Sequence, residues 1–268
     1  MEQHGKNQHN LIVAIIPARY ASTRLPGKLL IEVAGKPLII HTLQQALKAK
    51  TVDRVIVATD DQRILDAVCR FGGESVMTSH EHSTGSDRIA EVAAGLPQKT
   101  IVVNVQGDEP VISPNTIDLA VEAMLADPEC DIVTTCEAIA DISDVLSPDV
   151  VKVVVDHSGR ALYFSRSPIP YPREAVIRDG SIEAALNSDS GLLSSFRKHT
   201  GMYVYRREYL LGLCKMRQSV LERSEMLEQL RAMENGAKIR VIEVVDPSIG
   251  VDNVDDLARV RRLIESDG

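Results

Sequence analysis

The first half of the chain alternates short apolar runs with segments of helical periodicity, and this rhythm constrains the fold more than any other feature. Residues 11–16, 54–59 and 100–105 are nearly continuous runs rich in Val and Ile. Such runs are typical of strands that are buried on both faces. Residues 37–50 and 62–70, which lie between these runs, have helical periodicity. The alternation predicts an α/β fold, with a mainly parallel sheet that carries helices on both faces.

The same patterns predict elements along the rest of the chain. Further strands are expected at residues 76–77, 131–136 and 239–245, and further helices at residues 86–95, 114–126, 221–234 and 254–265.

The pattern changes after about residue 139. Residues 151–156, 161–164 and 202–205 are strand-like runs at closer spacing, which predicts a smaller antiparallel extension. Residues 168–196 are rich in Pro, Gly, Ser and charge, and we expect a long loop there. We therefore expect a disordered extension at residues 1–10 and a single domain at residues 11–268, with the antiparallel lobe at about residues 140–210.

Composition excludes several classes of protein. The formal net charge is −8 among 268 residues, and no basic stripe typical of nucleic-acid binding is visible. No apolar run approaches the roughly 20 residues of a membrane helix, and the polar N-terminus does not resemble a signal peptide. The four cysteines form neither a Cys-x-x-Cys pair nor a zinc pattern, so we expect reduced thiols and a cytoplasmic protein.

A basic loop follows the first predicted strand. It carries Arg19, Arg24 and Lys28 together with Ser22, although the chain as a whole is acidic. Arginine and lysine at the carboxyl end of a strand favour phosphate binding, and a solvated basic loop is the alternative. The loop is not a Walker A motif, because Ser22 stands where that motif requires Gly, and it contains no Gly-x-Gly-x-x-Gly pattern.

Asp108 follows the strand at residues 100–105 through a Gln106-Gly107 turn. Its carboxylate is a hard oxygen ligand of the kind that Mg²⁺ takes alongside substrate phosphates. An aspartate that caps a helix is the alternative, and the adjacent Glu109 is a candidate supporting group. Asp252, just before the last predicted helix, reads by itself as a helix cap.

Isolated polar side chains mark a second candidate region. Arg166 follows the strand at residues 161–164, and its planar fork suits a carboxylate. His199 and Tyr203 fall on one face of an extended segment and are candidates for hydrogen bonds to hydroxyl groups, although a structural histidine is the alternative. Residues 83–88 begin a helix, and the backbone amides exposed there suit the polar edge of a nucleotide. A simple helix N-cap is the alternative.

Six motifs together carry a family resemblance from about residue 11 to residue 264. They are IIPARYASTRLPGK (15–28), VQGDEP (105–110), YFSR (163–166), HTGMYVYR (199–206), EMLEQLR (225–231) and GVD (250–252). In this order and spacing the chain resembles the 3-deoxy-manno-octulosonate cytidylyltransferase family, nucleotidyltransferases that activate a sugar acid. It departs from the family pattern at Leu29, where Pro is usual, and in the order of residues 83–88.

The resemblance implies a three-layer α/β/α fold of the nucleotide-diphospho-sugar transferase type and a homodimer whose antiparallel lobe binds sugar. The implied reaction transfers CMP from CTP to the anomeric 2-hydroxyl of 3-deoxy-manno-octulosonate (Kdo). The resemblance assigns Mg²⁺ to Asp108 and Asp252, and catalysis to these two residues with Arg19 and Lys28. The implied nucleotide-binding residues are Arg19, Ser22, Arg24, Lys28, Gly85, Arg88, Gln106 and Asp108. The implied sugar-binding residues are Arg166, His199, Tyr203, Glu228 and Gln229.

Alternatives remain open from the sequence. They are a cytidylyltransferase for another acidic sugar such as a sialic acid or amino-Kdo, a uridylyl- or guanylyltransferase for a sugar phosphate, and a catalytically silent binding protein on the same scaffold.

Overall fold

The computed structural model describes residues 10–21 and 25–266. The predicted extension therefore lies almost wholly outside the described residues. The strands are β1 (Ile12–Ala18), β2 (Glu32–Val33), β3 (Lys36–Pro37), β4 (Arg54–Thr59), β5 (Glu74–Met77), β6 (Ile101–Asn104), β7 (Ile132–Ala138), β8 (Lys152–Val155), β9 (Ala161–Ser165), β10 (Arg197–Arg206) and β11 (Ile239–Glu243).

The helices accompany these strands along the chain, and 3-10 turns at Lys28–Leu30 and Ser190–Ser195 join them. They are α1 (Leu38–Ala46), α2 (Gln62–Arg70), α3 (Gly85–Ala94), α4 (Pro114–Ala126), α5 (Ile142–Leu146), α6 (Arg173–Asp179), α7 (Ile182–Ser188), α8 (Arg207–Leu213), α9 (Val220–Glu225), α10 (Glu228–Glu234) and α11 (Val254–Ser266). Within the described ranges, no helix combines the length and apolar character needed to cross a bilayer.

The central sheet has the strand order β11-β7-β10-β6-β1-β4-β5. β1 pairs in parallel with β4 and β6, β4 with β5, and β11 with β7, whereas β10 runs antiparallel to both of its neighbours. The predicted mainly parallel sheet is confirmed.

β1 shows why the sheet is covered on both faces. Ala14 and Ile16 pack into a cluster with α1, α2 and α4, whereas Val13 and Ile15 pack into a second cluster with α3, α8 and α10. All four side chains are fully buried. Burying an aliphatic side chain contributes roughly 1.5–3 kcal/mol, so a strand of this kind is stable only between two helix layers. The predicted three-layer arrangement is confirmed.

The predicted smaller antiparallel extension is confirmed in β8 and β9, but the placement of its third strand was wrong. All three of its strands are antiparallel, but β10 lies in the middle of the central sheet, between β6 and β7. β8 and β9 instead form a hairpin off the main path of this sheet, and β8 joins β10 through the Lys152–Lys198 pair. Strand spacing along the chain does not identify the partner strand, which explains the error.

Two further predictions are wrong. The expected loop at residues 168–196 contains α6, α7 and a 3-10 turn, and Ala185 and Leu186 of α7 are fully buried. Each of these helices has seven residues, which is too short to show a clear period. The single helix expected at residues 221–234 is divided into α9 and α10 at Met226, whose φ of 55° is left-handed. Helices α5 and α8 and the β2–β3 hairpin were not predicted.

Candidate active site

A cleft of about 720 Å³ opens where β1 and β6 end at their carboxyl sides, which is where open α/β sheets hold ligands. The loop after β1, the first residue of α3, the turn after β6 and the segment before α11 contribute its walls. The lining residues are Pro17, Arg19, Tyr20, Ala21, Pro26, Lys28, Leu29, Gly85, Gln106, Gly107, Asp108 and Asp252.

Lys28 lines the cleft and contacts both aspartates there. Its Nζ donates to Asp108 Oδ2 at 2.5 Å, to the Val251 carbonyl at 2.8 Å and to Asp252 Oδ1 at 3.3 Å. The Val251 amide also donates to the Asp108 carbonyl at 2.9 Å, which ties the two aspartate loops together. One half-buried ammonium thus gathers two carboxylates that are far apart in the sequence.

The alternative role of Asp252 was to cap the last helix, and its neighbour Asn253 provides that cap. The Asn253 side chain accepts from the Asp256 amide at 2.9 Å, and Asp256 accepts in turn from the Asp252 and Asn253 amides. The start of α11 is therefore capped while Asp252 Oδ1 faces Lys28.

Two glycines let these loops approach. A Cβ at Gly107 would lie 2.8 Å from the Pro17 carbonyl oxygen, so only glycine allows the turn after β6 to pass so close to the end of β1. Gly27 has a φ of +68°, and a Cβ there would lie 3.1 Å from the Tyr20 hydroxyl oxygen. The first glycine positions Asp108 and the second positions Lys28.

The other predicted nucleotide residues have separate placements. Arg19 is exposed, and its Nη1 lies 3.4 Å from the Ser83 carbonyl, which links the basic loop to the segment before α3. Gln106 Nε2 donates to Asn104 Oδ1 at 3.0 Å and to the Gly201 carbonyl at 3.2 Å. Gly85 begins α3 and lines the cleft. Ser22 and Arg24 lie outside the described residues.

Arg88 is not among the residues that line the cleft. Its side chain is fully buried, Nη2 donates to Asp60 Oδ2 at 2.7 Å, and Nη1 bonds to the Thr78 hydroxyl. A guanidinium enclosed in this way holds α3 against the ends of β4 and β5. Its position gives no support to direct contact with a nucleotide.

The other predicted residues lie at the end of β9, on β10 and on α10, and none of them lines the cleft. We call them together the inner cluster: Arg166, His199, Tyr203, Glu228 and Gln229. Two contacts join it to the cleft. Ser86, next to Gly85, donates to Glu228 Oε2 at 2.6 Å, and Gln106 reaches the carbonyl of Gly201 on β10.

Arg166 is held mainly by Glu225, a residue that is not among the predicted site residues. Arg166 Nε donates to the Glu225 carbonyl at 2.7 Å, and its amide donates to Glu225 Oε2 at 2.9 Å. The Ser165 hydroxyl donates to the other carboxylate oxygen at 2.7 Å, and Arg166 Nη1 donates to the Pro148 carbonyl at 2.8 Å. Glu225 stands three residues before Glu228, so the EMLEQLR motif that indicates Glu228 also contains Glu225.

His199 and Tyr203 lie on either side of an irregularity in β10 and are in ring contact, with centroids 5.4 Å apart. His199 also meets Phe164 edge to face at 4.9 Å, and its Nε2 lies 2.9 Å from the Thr134 hydroxyl. Burial lowers the pKa of His199 to about 3 and raises that of Tyr203 well above its usual value. Both rings are therefore neutral at physiological pH and suited to hydrogen bonding rather than to charge pairing.

Gln229 is buried beside Glu228, and its Nε2 has no hydrogen-bond partner within the described ranges. A buried amide donor left unpaired costs about 1–3 kcal/mol. The structure therefore gives no local reason for an amide at this position.

The cleft suits a divalent cation that is shared with a phosphate ligand. No group of three or more His, Cys, Asp or Glu side chains gathers as a metal site in the part of the chain that the structure describes. Asp108 and Asp252 both pair with the Lys28 ammonium, and their oxygens are hard ligands. One or two carboxylates with phosphate oxygens and water are the usual donor set of Mg²⁺. The residues present thus fit Mg²⁺ bound together with a nucleotide.

Glu109, beside Asp108, is buried, and burial together with the Asp108 charge raises its pKa to about 7. A Cβ at Gly201 would lie 3.6 Å from Glu109 Oε1, so this carboxyl group sits against β10. Glu109 therefore supports, from the side of β10, the turn that carries Asp108.

Comparison with known proteins gives one consistent picture. Residues 13–239 match the model of a cytidylyltransferase family. The chain is 53% identical over 254 residues to a 3-deoxy-manno-octulosonate cytidylyltransferase of Trichlorobacter lovleyi, covering 95% of this chain and 98% of that protein. It is 50% identical to the protein of the same name from Geobacter sulfurreducens, covering 93% and 97%. A solved CMP:2-keto-3-deoxy-manno-octonic acid synthetase complexed with CTP matches with a TM-score of 0.86 and 41% identity, covering 97% of this chain and 100% of that one.

Proposed function

This chain belongs to the 3-deoxy-manno-octulosonate cytidylyltransferase family, and we propose that it transfers CMP from CTP to the anomeric 2-hydroxyl of Kdo. The products are CMP-Kdo, a precursor for lipopolysaccharide biosynthesis, and pyrophosphate. The observation that carries the proposal is the Lys28 ammonium between Asp108 and Asp252 at the end of β1. One cation and two carboxylates with hard oxygen atoms thus line a cleft large enough for a nucleotide.

Lys28 and Arg19 neutralise the triphosphate in this proposal. Lys28 has three N–H donors, and its longest contact is the one to Asp252 at 3.3 Å. Turning that donor to a phosphate oxygen leaves the contacts to Asp108 and Val251 in place. Positive charge held near the departing pyrophosphate stabilises the transition state without rearrangement.

Asp108 and Asp252 are the residues that would hold Mg²⁺. The ion, when bound, supplies positive charge to the phosphate oxygens and lowers the pKa of a neighbouring hydroxyl. The contribution of the chain is fixed geometry, because the Val251–Asp108 backbone hydrogen bond keeps the two carboxylate loops in register.

The inner cluster would hold the sugar acid. Arg166 offers a planar fork to the carboxylate of Kdo, while Glu228 and the neutral rings of His199 and Tyr203 suit hydroxyl groups. The 2-hydroxyl then loses its proton to solvent, and its oxygen forms a bond to the α-phosphorus as the bond to pyrophosphate breaks, so no covalent intermediate with the protein is needed. Catalysis by positioning of this kind depends on where the two substrates are held.

We also propose that the protein acts in the cytoplasm as a homodimer. The four cysteines are free thiols in the structure, which is consistent with a reducing compartment. Light scattering of the purified protein tests the dimer, and a molecular mass near 29.4 kDa would contradict it.

The decisive experiment measures pyrophosphate release with Kdo, CTP and Mg²⁺, with UTP and N-acetylneuraminate as parallel substitutions. Release only with CTP and Kdo is the expected result. Release with CTP and another sugar acid would support CTP as the nucleotide substrate and would identify that acid, instead of Kdo, as the sugar substrate. Absence of release with every pair would favour a binding scaffold, which thermal shift with CTP and Mg²⁺ would then identify.

A further inference from the structure

Lys152, the first residue of β8, is a lysine whose side chain is entirely buried. Its Nζ donates to three main-chain carbonyls, those of Ser147 at 2.8 Å, Val150 at 2.6 Å and Arg166 at 2.6 Å. The three N–H groups of the ammonium therefore join two segments of chain, the turn at residues 147–150 and the end of β9.

An ammonium in this position is costly for the fold. Burial and the nearby Arg166 cation both lower the pKa of Lys152, which shows that the surroundings disfavour its charge. A methionine of similar length would fill the same space but would leave three main-chain carbonyls without their donor. What the lysine supplies here is therefore the three hydrogen bonds that join the two segments.

The segments that Lys152 joins are those that hold the Arg166 guanidinium. The carbonyl of Pro148, between Ser147 and Val150, accepts from Arg166 Nη1 at 2.8 Å. Lys152 therefore fixes the Arg166 main chain and also the turn to which the Arg166 side chain is anchored. The anchors use Nε and Nη1, and the end of the fork formed by Nη1 and Nη2 is the part that a carboxylate would meet.

We propose that Lys152 is a positioning residue for the acidic sugar, which acts by presetting the Arg166 fork for the carboxylate of the substrate. The inference rests on the proposed function, because it requires that Arg166 binds that carboxylate. A preset fork reduces the ordering cost of binding, so Lys152 affects sugar affinity without touching the sugar.

The test is a steady-state comparison of Lys152→Met with the wild type and with Lys238→Met. Lys238 is an exposed lysine paired with Glu129 at the far end of β7 and β11, and its replacement removes the same charge from the surface. Lys152→Met is expected to raise KM for Kdo about tenfold, with KM for CTP changed by less than twofold. Lys238→Met is expected to leave both values unchanged.

Arg166→Ala, measured in parallel, separates this inference from the proposed function. If Arg166→Ala leaves KM for Kdo unchanged, the assignment of Arg166 to the sugar fails. If Arg166→Ala raises KM for Kdo while a folded Lys152→Met does not, only the role of Lys152 fails. When both variants raise it, the double variant is expected to show little beyond the effect of Arg166→Ala, and full additivity would overturn the proposal.

Lys152→Gln covers the possibility that the methionine variant does not fold, because its amide keeps two donors for the three carbonyls. It is expected to fold and to raise KM for Kdo by a smaller factor. A folded Lys152→Gln with wild-type KM for Kdo would overturn the proposal. Failure of both variants to fold would assign Lys152 to the fold as a whole and would overturn it equally.

Discussion

The cleft residues lie on loops that follow parallel strands, whereas the inner cluster lies on antiparallel strands and a helix. In the cleft, Asp108 and Asp252 keep side-chain exposures of 27% and 46% and are gathered around a lysine. In the inner cluster, His199 is 9% exposed and is held by rings from β9 and β10.

The difference follows from what each region is proposed to bind. Half-buried loop charges can exchange contacts with phosphates and metal ions that arrive with their own water. A sugar acid instead presents many hydroxyl groups, and neutral buried groups discriminate among these most strongly because an unpaired buried partner is costly. Variants in the cleft should therefore change turnover and CTP parameters, and variants in the inner cluster should change sugar parameters.

The largest effect is expected from Asp108→Asn or Asp252→Asn in the cleft. Each should reduce the rate of pyrophosphate release by about 1000-fold or more, because a metal-holding carboxylate is lost while the side-chain volume is kept. Thermal unfolding checks that the variants fold, and Asp255→Asn in the first turn of α11 is the matched control. Normal turnover in either variant would remove that residue from the metal site.

Gly107→Ala tests whether the cleft depends on close backbone approach. The added Cβ would lie 2.8 Å from the Pro17 carbonyl oxygen, so the turn must move and displace Asp108. A shift of about 1 Å can reduce kcat about 100-fold. Gly250→Ala, two residues before Asp252, meets nothing within 4 Å and should behave as the wild type. Equal activities of the two variants would contradict the argument from packing.

Glu228→Gln tests the sugar side of the comparison. It removes the charge that accepts from Ser86 Oγ at 2.6 Å. Because hydrogen bonds to charged groups are worth about 1.5–3 kcal/mol, KM for Kdo should rise at least about tenfold, with KM for CTP nearly unchanged. Glu234→Gln at the other end of α10 is the control. A matching rise in KM for CTP would show that the two regions are not separable.

The pH dependence of stability should have opposite signs in the two regions. In the folded state the pKa of His199 is lowered to about 3, so below its usual value of 6.5 the unfolded chain binds the extra proton and stability falls as pH falls. The pKa of Glu109 is raised from 4.5 to about 7, so the folded chain binds the extra proton and stability falls as pH rises through that window. Each slope approaches about 1.4 kcal/mol per pH unit at most.

Urea unfolding between pH 4.5 and 7.5 separates the two slopes. In the wild type they oppose each other between pH 4.5 and 6.5. His199→Gln should leave stability falling as pH rises, and Glu109→Gln should leave stability falling as pH drops. The same pH profile in both variants would show that neither group has the folded-state protonation inferred from its burial.

The smallest effect is expected from Arg63→Ala at the rim of the cleft. The Arg63 guanidinium carbon lies 3.4 Å from the centroid of the Tyr20 ring, which lines the cleft. An exposed cation–π contact is worth about 0.5–1 kcal/mol, so KM for CTP should rise only about two- to fivefold. Arg70→Ala, at the end of the same helix, should have no effect. A rise in KM for Kdo instead would place Tyr20 nearer to the sugar.

Sequence patterns predicted the fold best where local signals and burial agree. The bounds of β4, α2 and α4 are those expected from residues 54–59, 62–70 and 114–126. The predictions failed where non-local packing decides. The short helix α7 is stabilised by packing against neighbouring elements, and the break at Met226 is not visible in the periodicity of residues 221–234.

The sequence by itself determined the strand–helix alternation, the cationic loop after β1 and the acidic turn after β6, because each depends on residues that are neighbours in the chain. Only the tertiary structure decided that Asp108 and Asp252 meet at Lys28, that Arg88 faces inward and that Lys152 and Glu225 hold Arg166. Only the tertiary structure decided, too, that His199 is neutral. Charge state and hydrogen-bond geometry depend on desolvation by residues distant in the sequence, and a linear pattern does not contain that information.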